Sequence, residues 1–250
     1  CKCPAHTDGK ASLSIRVGDR AVLFHCFAGC TAEAIMAALR SGKILAPANH
    51  DPGQRQEGKA DLNKLALAVW RHADPFPGTL ADRYLRARAI VPAGINARFD
   101  PRCQCGVGAA KAFAPALIVP IEEDAGVVAI HRTFLTPDGR WKAEMDEPKR
   151  MLGHPGVGAV RWGGIPSDGV LRLAEGVEDA ASVMNLLEPG HFVWPVLGIE
   201  RYQGISIPES VHTVIVYSQH GVEAAWAVER ATPNLTGNGR RLLTKLPPHS

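Results

Sequence analysis

The residues best equipped for chemistry crowd at the amino end, where Cys1, Cys3, His6, His25, Cys26 and Cys30 fall within thirty positions. Cys3-Pro4-Ala5-His6 and Cys26-Phe27-Ala28-Gly29-Cys30 form two close pairs, with nineteen residues between His6 and Cys26. Two such pairs on separate turns suit a tetrahedral zinc ion, because each tight loop aims two soft or borderline donors at one point. Cys3, His6, Cys26 and Cys30 are therefore the expected ligands of a structural Zn²⁺, with Cys1 and His25 as spare donors that spacing alone does not exclude. Cys103 and Cys105 have no accompanying ligand pair and read as ordinary loop or core cysteines. In a reducing compartment a cluster of this kind is a metal site rather than a disulfide framework. A second group of interest is Glu175, Glu178 and Asp179, directly after the β-prone run Val170–Ala174. Glu178 and Asp179 also suit the positive end of a following helix, so the role of that group stays open on residue type alone.

These residues need elements to hold them. Short β-prone runs at 12–17 and 21–24, joined by Gly18-Asp19, predict a hairpin between the two ligand pairs, and Thr31 is placed to cap a helix over 31–40. Residues 43–60, with Pro47, Pro52, Gly53 and Gly58, read as a linker. A mixed segment follows, with helices expected over 62–72 and 80–89 and strands over 116–121 and 127–135. From 170 onward the pattern alternates: strands at Val170–Ala174, 192–197 and Thr213–Tyr217, helices at 178–187 and 221–231. Alternation of this kind implies a parallel sheet with functional residues beyond its carboxyl ends. The expected fold is multidomain α+β: a zinc ribbon over 1–42, a linker over 43–60, a mixed α/β segment over 61–168 and an α/β parallel sheet over 169–250.

Composition is that of an ordinary folded protein, with 46% apolar and 21% charged residues in 250. The net charge of +3 is compatible with nucleic acid but does not point there alone. No run of about 18 apolar residues spans a bilayer and no secretory signal opens the chain, so a cytoplasmic location without membrane contact is expected. Since the first residue is Cys1, the natural protein is expected to begin upstream.

The order Cys-x-x-His, hairpin, cysteine pair, helix resembles the zinc-binding domain of bacterial DnaG-type primases. Tyr84-Leu85-Arg86-Ala87-Arg88-Ala89-Ile90 is similar to the tyrosine-leucine, two residues, arginine-glycine-isoleucine stretch that opens the primase core, with Ala89 in place of glycine. The strands around 124–126 end in Arg132, as in that family, and Lys149-Arg150-Met151-Leu152-Gly153 falls where the family has a lysine implicated in binding nucleotides or template. Leu173-Ala174-Glu175-Gly176-Val177-Glu178-Asp179 resembles the first Toprim motif. The match is collinear over nearly the whole chain and is nearest to Toprim-containing primase-like proteins of phages, plasmids and integrated elements.

The resemblance implies that Glu175 and Asp179 are catalytic, with Mg²⁺ or Mn²⁺ at the sheet edge. It also implies that Arg83, Arg88, Arg132, Lys149 and Arg150 bind nucleic acid, lining one groove with Arg86, Lys142 and Arg161. Around the zinc, Lys2, Lys10, Arg16 and Arg20 would supply charge for phosphates and Phe24 an exposed stacking surface for nucleic acid. The second Toprim motif, however, places Gln219 and Gly221 where two aspartates are expected, which removes two anionic ligands from a hard dication. The expected partners are single-stranded DNA and nucleotides, with a replicative helicase or polymerase beside them. Two functions follow: synthesis of RNA primers on single-stranded DNA in a mobile element, or an inactive Toprim-like DNA-binding module working with a partner.

Overall fold

A computed structural model describes residues 2–7, 11–17, 22–41, 52–106 and 111–247. Cys1, Lys10, Arg20, the Gly18-Asp19 turn and residues 43–51 lie outside the described residues. The chain forms two compact units, Cys1–Arg55 and Gln56–Ser250.

In the first unit, strands β1 (Leu13–Val17) and β2 (Val22–Cys26) pair antiparallel, with Leu13 opposite Cys26. Helix α1 (Ala32–Ser41) follows, and the Thr31 hydroxyl accepts the Ala34 N–H at 3.2 Å, as an N-cap should. Cys3, Leu13, Cys26 and Ile35 make a small core. Phe24, expected as an exposed stacking surface, packs against that core instead. Side chains two apart on a strand share a face, so Phe24 follows Cys26 inward. The exposed aromatic is Phe27, at 75% accessibility, inside the second ligand turn.

Helix α2 (Pro52–His72) takes in residues 52–60, which had been expected as linker. Pro52 stands at the first helical position, where its missing N–H costs nothing, so a proline that reads as a linker signal starts a helix. Strands β3 (Asp74–Pro75), β4 (Arg98–Gln104), β5 (Phe113–Glu123), β6 (Gly126–Phe134) and β7 (Lys149–Gly153) form an antiparallel sheet in chain order. One face carries α2 through Ala66, Val69 and Trp70, against Cys103, Ile118, Ile130 and Phe134. The other face meets α3 (Leu80–Arg86) and the rest of the unit.

The parallel sheet contains β8 (Val170–Ala174), β9 (Trp194–Pro195), β10 (Thr213–Tyr217) and β11 (Arg241–Lys245), in the order β11-β10-β8-β9, with α4 (Val177–Leu186) and α5 (Val222–Thr236) as its helices. The strand expected over 192–197 shrinks to two residues, and β11 had no counterpart in the sequence reading. A single apolar cluster runs from Phe76, Tyr84 and Leu117 to Leu171, Trp194 and Val214, so the two sheets share one core. Trp162 and Trp194 sit fully buried within it, with the Trp194 indole donating to the Trp162 carbonyl at 3.1 Å.

The order places β8 between β9 and β10, so chain direction across the sheet reverses between β8 and β10. The carboxyl ends of those two strands diverge into a crevice, the usual ligand position of a parallel sheet.

Candidate metal centre and sheet-edge site

The donor atoms of Cys3, His6, Cys26 and Cys30 all lie within 4.8 Å of one another, the expected quartet. His6 turns Nδ1 toward Cys30 Sγ at 3.1 Å and Cys26 Sγ at 3.9 Å, while its Nε2 faces Ser12 Oγ at 3.4 Å. A hydroxyl on the far ring nitrogen is the outer partner that orients a metal-binding imidazole. Burial works to raise the Cys26 thiol, yet the backbone N–H groups of Cys30 and Ala28, with the Ser12 and Cys3 side chains, bring it down to about 6. Cys30 moves the other way, pushed up to about 11 by burial and by the Cys26 and Cys3 sulfurs. Thiolates this close repel unless a cation sits between them, so the donor set fits a tetrahedral ion.

Glu175 stands at the end of β8, facing the crevice. Its carboxyl lies above the ordinary range because of burial and then the charge of Asp179, with Lys149 opposing and Glu200 adding to the rise. Asp179 Oδ2 accepts the Gly176 N–H at 3.1 Å, so the helix-capping role foreseen for an acid here is taken by Asp179. The crevice, of about 370 Å³, is lined by Glu175, Asp179, Tyr217, Ser218, Gln219 and Lys245. Gln219 thus occupies the edge opposite Glu175, and Gly221 follows at φ +131° with no side chain to offer. Among the described residues the only cluster of three or more metal-ligating side chains is the Cys/His quartet.

Glu178 stands in the first turn of α4, as expected of an acid at the positive end of a helix, and its carboxylate also ties two other segments to that helix. Its Oε1 accepts the Tyr84 hydroxyl at 2.6 Å and its Oε2 pairs with Lys149 Nζ at 2.9 Å. Burial alone would raise this carboxyl, but Lys149 and Tyr84 outweigh it and hold it at about 2. His131 is packed nearby on β6, and burial together with the Lys149 charge lowers it to about 4, so it is neutral at physiological pH. Its Nδ1 has no hydrogen-bond partner.

The basic residues expected in one groove are divided by the antiparallel sheet. Lys149 pairs with Thr133 and Arg150 with Arg132 across β6 and β7, and neighbours on a strand point to opposite faces. Lys149 therefore reaches Glu178. Arg132 and Arg150 lie on the α2 face over Phe134, donating to the Gln104 and Cys105 carbonyls respectively. Arg161 pairs with Asp124 at 2.7 Å. Arg83 and Arg86 are on α3, but Arg88 lies beyond its end, stacked 3.8 Å over the Tyr84 ring and 5.5 Å from the Trp141 ring. Trp141 had drawn no attention in the sequence; its signal is an aromatic next to arginine just after an Asp-Gly turn, at 138–141.

Ala89, the residue in place of the family glycine, has φ +57°. Its N–H bonds the Arg86 carbonyl and the Ile90 N–H bonds the Leu85 carbonyl, the paired bonds of a helix end that turns through a left-handed residue. The local geometry asks for glycine.

A family model described as a domain of unknown function (DUF7146) matches residues 60–162. No curated protein matches the sequence. Among solved structures the chain is similar to a DNA primase domain from Pseudomonas aeruginosa, with a TM-score of 0.51 and 14% identity over 76% of this chain and 72% of that one. It is also similar to the zinc-binding and RNA polymerase domains of the Aquifex aeolicus primase, with a TM-score of 0.51 and 14% identity over 100% of this chain and 72% of that one. At such identity the likeness speaks for architecture: the chain has a primase-like fold, with a Cys/His cluster at its amino end, an antiparallel sheet and a carboxyl-terminal parallel sheet.

Proposed function

We propose that the chain is a primase-like nucleic-acid-binding protein that acts on single-stranded DNA in the replication of a mobile element. In this reading residues 1–42 are a zinc ribbon held by Cys3, His6, Cys26 and Cys30. Residues 61–168 are a primase-core-like subdomain, and 169–250 a Toprim-like domain with a degenerate acidic motif. The observation that carries the proposal is convergence: Tyr84, Lys149 and the 175–179 segment, far apart in sequence and each matching a primase motif in order, meet at one edge of the parallel sheet. Single-stranded DNA and nucleotides are the ligands, with Arg83, Arg88, Arg132, Lys149 and Arg150 supplying charge, and the setting is cytoplasmic. No helix among the described residues is long and apolar enough to cross a membrane.

Primer synthesis would use Glu175 and Asp179 with Mg²⁺ or Mn²⁺ to neutralise phosphate charge. The edge fits a hard dication poorly, because Gln219 and Gly221 offer no carboxylate and one Asp179 oxygen is committed to the Gly176 N–H. That observation favours a second reading, a binding module that presents DNA to a partner helicase or polymerase. A primer-synthesis assay on single-stranded templates, with Mg²⁺ and with Mn²⁺, separates the two. Product that disappears in Glu175→Ala supports catalysis, whereas salt-sensitive DNA binding without product supports the module. Absence of both product and binding would sink the whole reading.

A further inference from the structure

A cleft of about 680 Å³ opens between α3 and the turn after β6, lined by Gly78, Thr79, Asp82, Arg83, Arg86, Arg140 and Trp141. We infer that this cleft binds one nucleotide unit of a single strand, its base stacked on Trp141 and its phosphates on Arg83, Arg86 and Arg140. The inference rests on the proposed single-strand function and assigns it a site away from the sheet edge.

Trp141 is 67% exposed, whereas Trp162 and Trp194 are fully buried. An indole held in water forgoes a large burial gain, and its flat face is the natural partner of an unstacked base. The turn that carries the ring is tied down. Thr136 Oγ1 bonds Asp138 Oδ1 at 2.5 Å and accepts the Trp141 backbone N–H at 3.1 Å, closing the turn. Gly139, at φ +68°, lets that turn lie against Leu80, where an added Cβ would come within 2.9 Å of the leucine Cβ. Arg83 ties the turn to α3 through the Asp138 carbonyl at 3.1 Å. Arg88 lies near the Trp141 ring and also donates to the Arg140 carbonyl at 3.0 Å. The backbone beneath the ring is therefore set before any ligand arrives, which lowers the ordering cost of binding.

The charge is right for a phosphate backbone. Three arginines, at 83, 86 and 140, line the cleft with one aspartate, at 82, while Arg88 and Asp138 hold the adjoining turn. Asp82 is already occupied, accepting the Arg86 Nε–H at 2.7 Å and the Gly78 N–H at 2.9 Å. Arg86 keeps its other guanidinium donors and a side chain 59% exposed. A duplex hides the faces of its bases, so the stacking surface selects a single strand.

The test is anisotropy of a fluorescein-labelled oligothymidylate titrated with wild type, Trp141→Ala, Trp141→Phe and Arg140→Ala at several salt concentrations. Trp141→Ala should weaken binding roughly five- to hundred-fold and Trp141→Phe should retain most of it. Arg140→Ala should flatten the dependence of log affinity on log salt by about 0.7 per lost phosphate contact. Wild-type binding that Trp141→Ala and Arg140→Ala leave unchanged overturns this site alone and spares the proposed function. A wild type that fails to bind the oligomer at all overturns both. Equal binding of a matched duplex, equally weakened by Trp141→Ala, overturns the single-strand assignment.

Discussion

The Tyr84 hydroxyl donates a 2.6 Å hydrogen bond to a Glu178 carboxylate that is simultaneously paired with Lys149 at 2.9 Å. Three segments, one from α3, one from β7 and one from α4, are joined at that carboxylate. Glu178 thereby sets where the Lys149 ammonium sits relative to Glu175, whose carboxyl responds to that charge.

Removing the Tyr84 hydroxyl leaves the ring in place and takes one donor from a buried anion. Tyr84→Phe should cost about 1.5–3 kcal/mol, the range for a hydrogen bond to a charged group. Chemical denaturation of the variant, with an unchanged m-value, is the check. A loss below about 0.5 kcal/mol would show that the bond has little net worth.

Acid should weaken the larger unit over two successive pH windows. His131 is lowered from 6.5 to about 4 in the fold, so the stability of its neutral form is present above pH 6.5 and drains away as pH falls toward 4. Glu178 is lowered from 4.5 to about 2, so its contribution is present above pH 4.5 and is lost as pH drops through 2. Each is worth on the order of 3 kcal/mol. His131→Gln should flatten the stability curve between pH 6.5 and 4, and Glu178→Gln should flatten it below 4.5, as read from denaturant midpoints at stepped pH.

Ala89 occupies a left-handed position at the end of α3. A Cβ there costs roughly 1 kcal/mol or more, against a smaller entropic penalty for glycine. Ala89→Gly should therefore raise stability by several tenths to about 1 kcal/mol, and Tm by about 2–4 °C at the upper end. A lowered Tm would mean that the turn is not held in this conformation.

The Cys/His quartet should carry one zinc per chain, measured by metal analysis of purified protein. Cys26→Ser should lose it, since a structural site needs all four donors. Chelation should abolish protection of the amino-terminal unit from protease while the larger unit keeps its thermal transition, because the two units pack around separate cores. Retention of one metal by Cys26→Ser would overturn the ligand assignment.

What sequence revealed and what it hid divides along physical lines. Strands β8 and β10 have the bounds expected, because covered strands read as short, mostly apolar runs, broken in β8 only by Arg172, which is paired with Asp168 and Glu188. The quartet was legible because each pair of donors lies on one short turn. By contrast β4 contains Asp100, Pro101 and Arg102 at a break in register, and Pro101 reads as the end of a strand rather than a bulge within one. Strand β7 mixes Lys149 and Arg150 with Met151 and Leu152 because its two faces serve different neighbours. The Lys149–Glu178 pair spans twenty-nine positions and exists only once the two sheets have come together, so no local pattern announces it. The left-handed backbone at Ala89 was foreshadowed by the family glycine, yet its cause, the paired bonds that close α3, belongs to the folded chain.

The shared apolar core between the two sheets carries a mechanical consequence. To swing the parallel sheet away from the antiparallel one, residues as large as Trp162 and Trp194 would have to be drawn into water, at roughly 25 cal/mol for each square ångström uncovered. The larger unit is built as an anvil and not as a clamshell: a ligand at the sheet edge or in the α3 cleft would have to conform to a fixed surface.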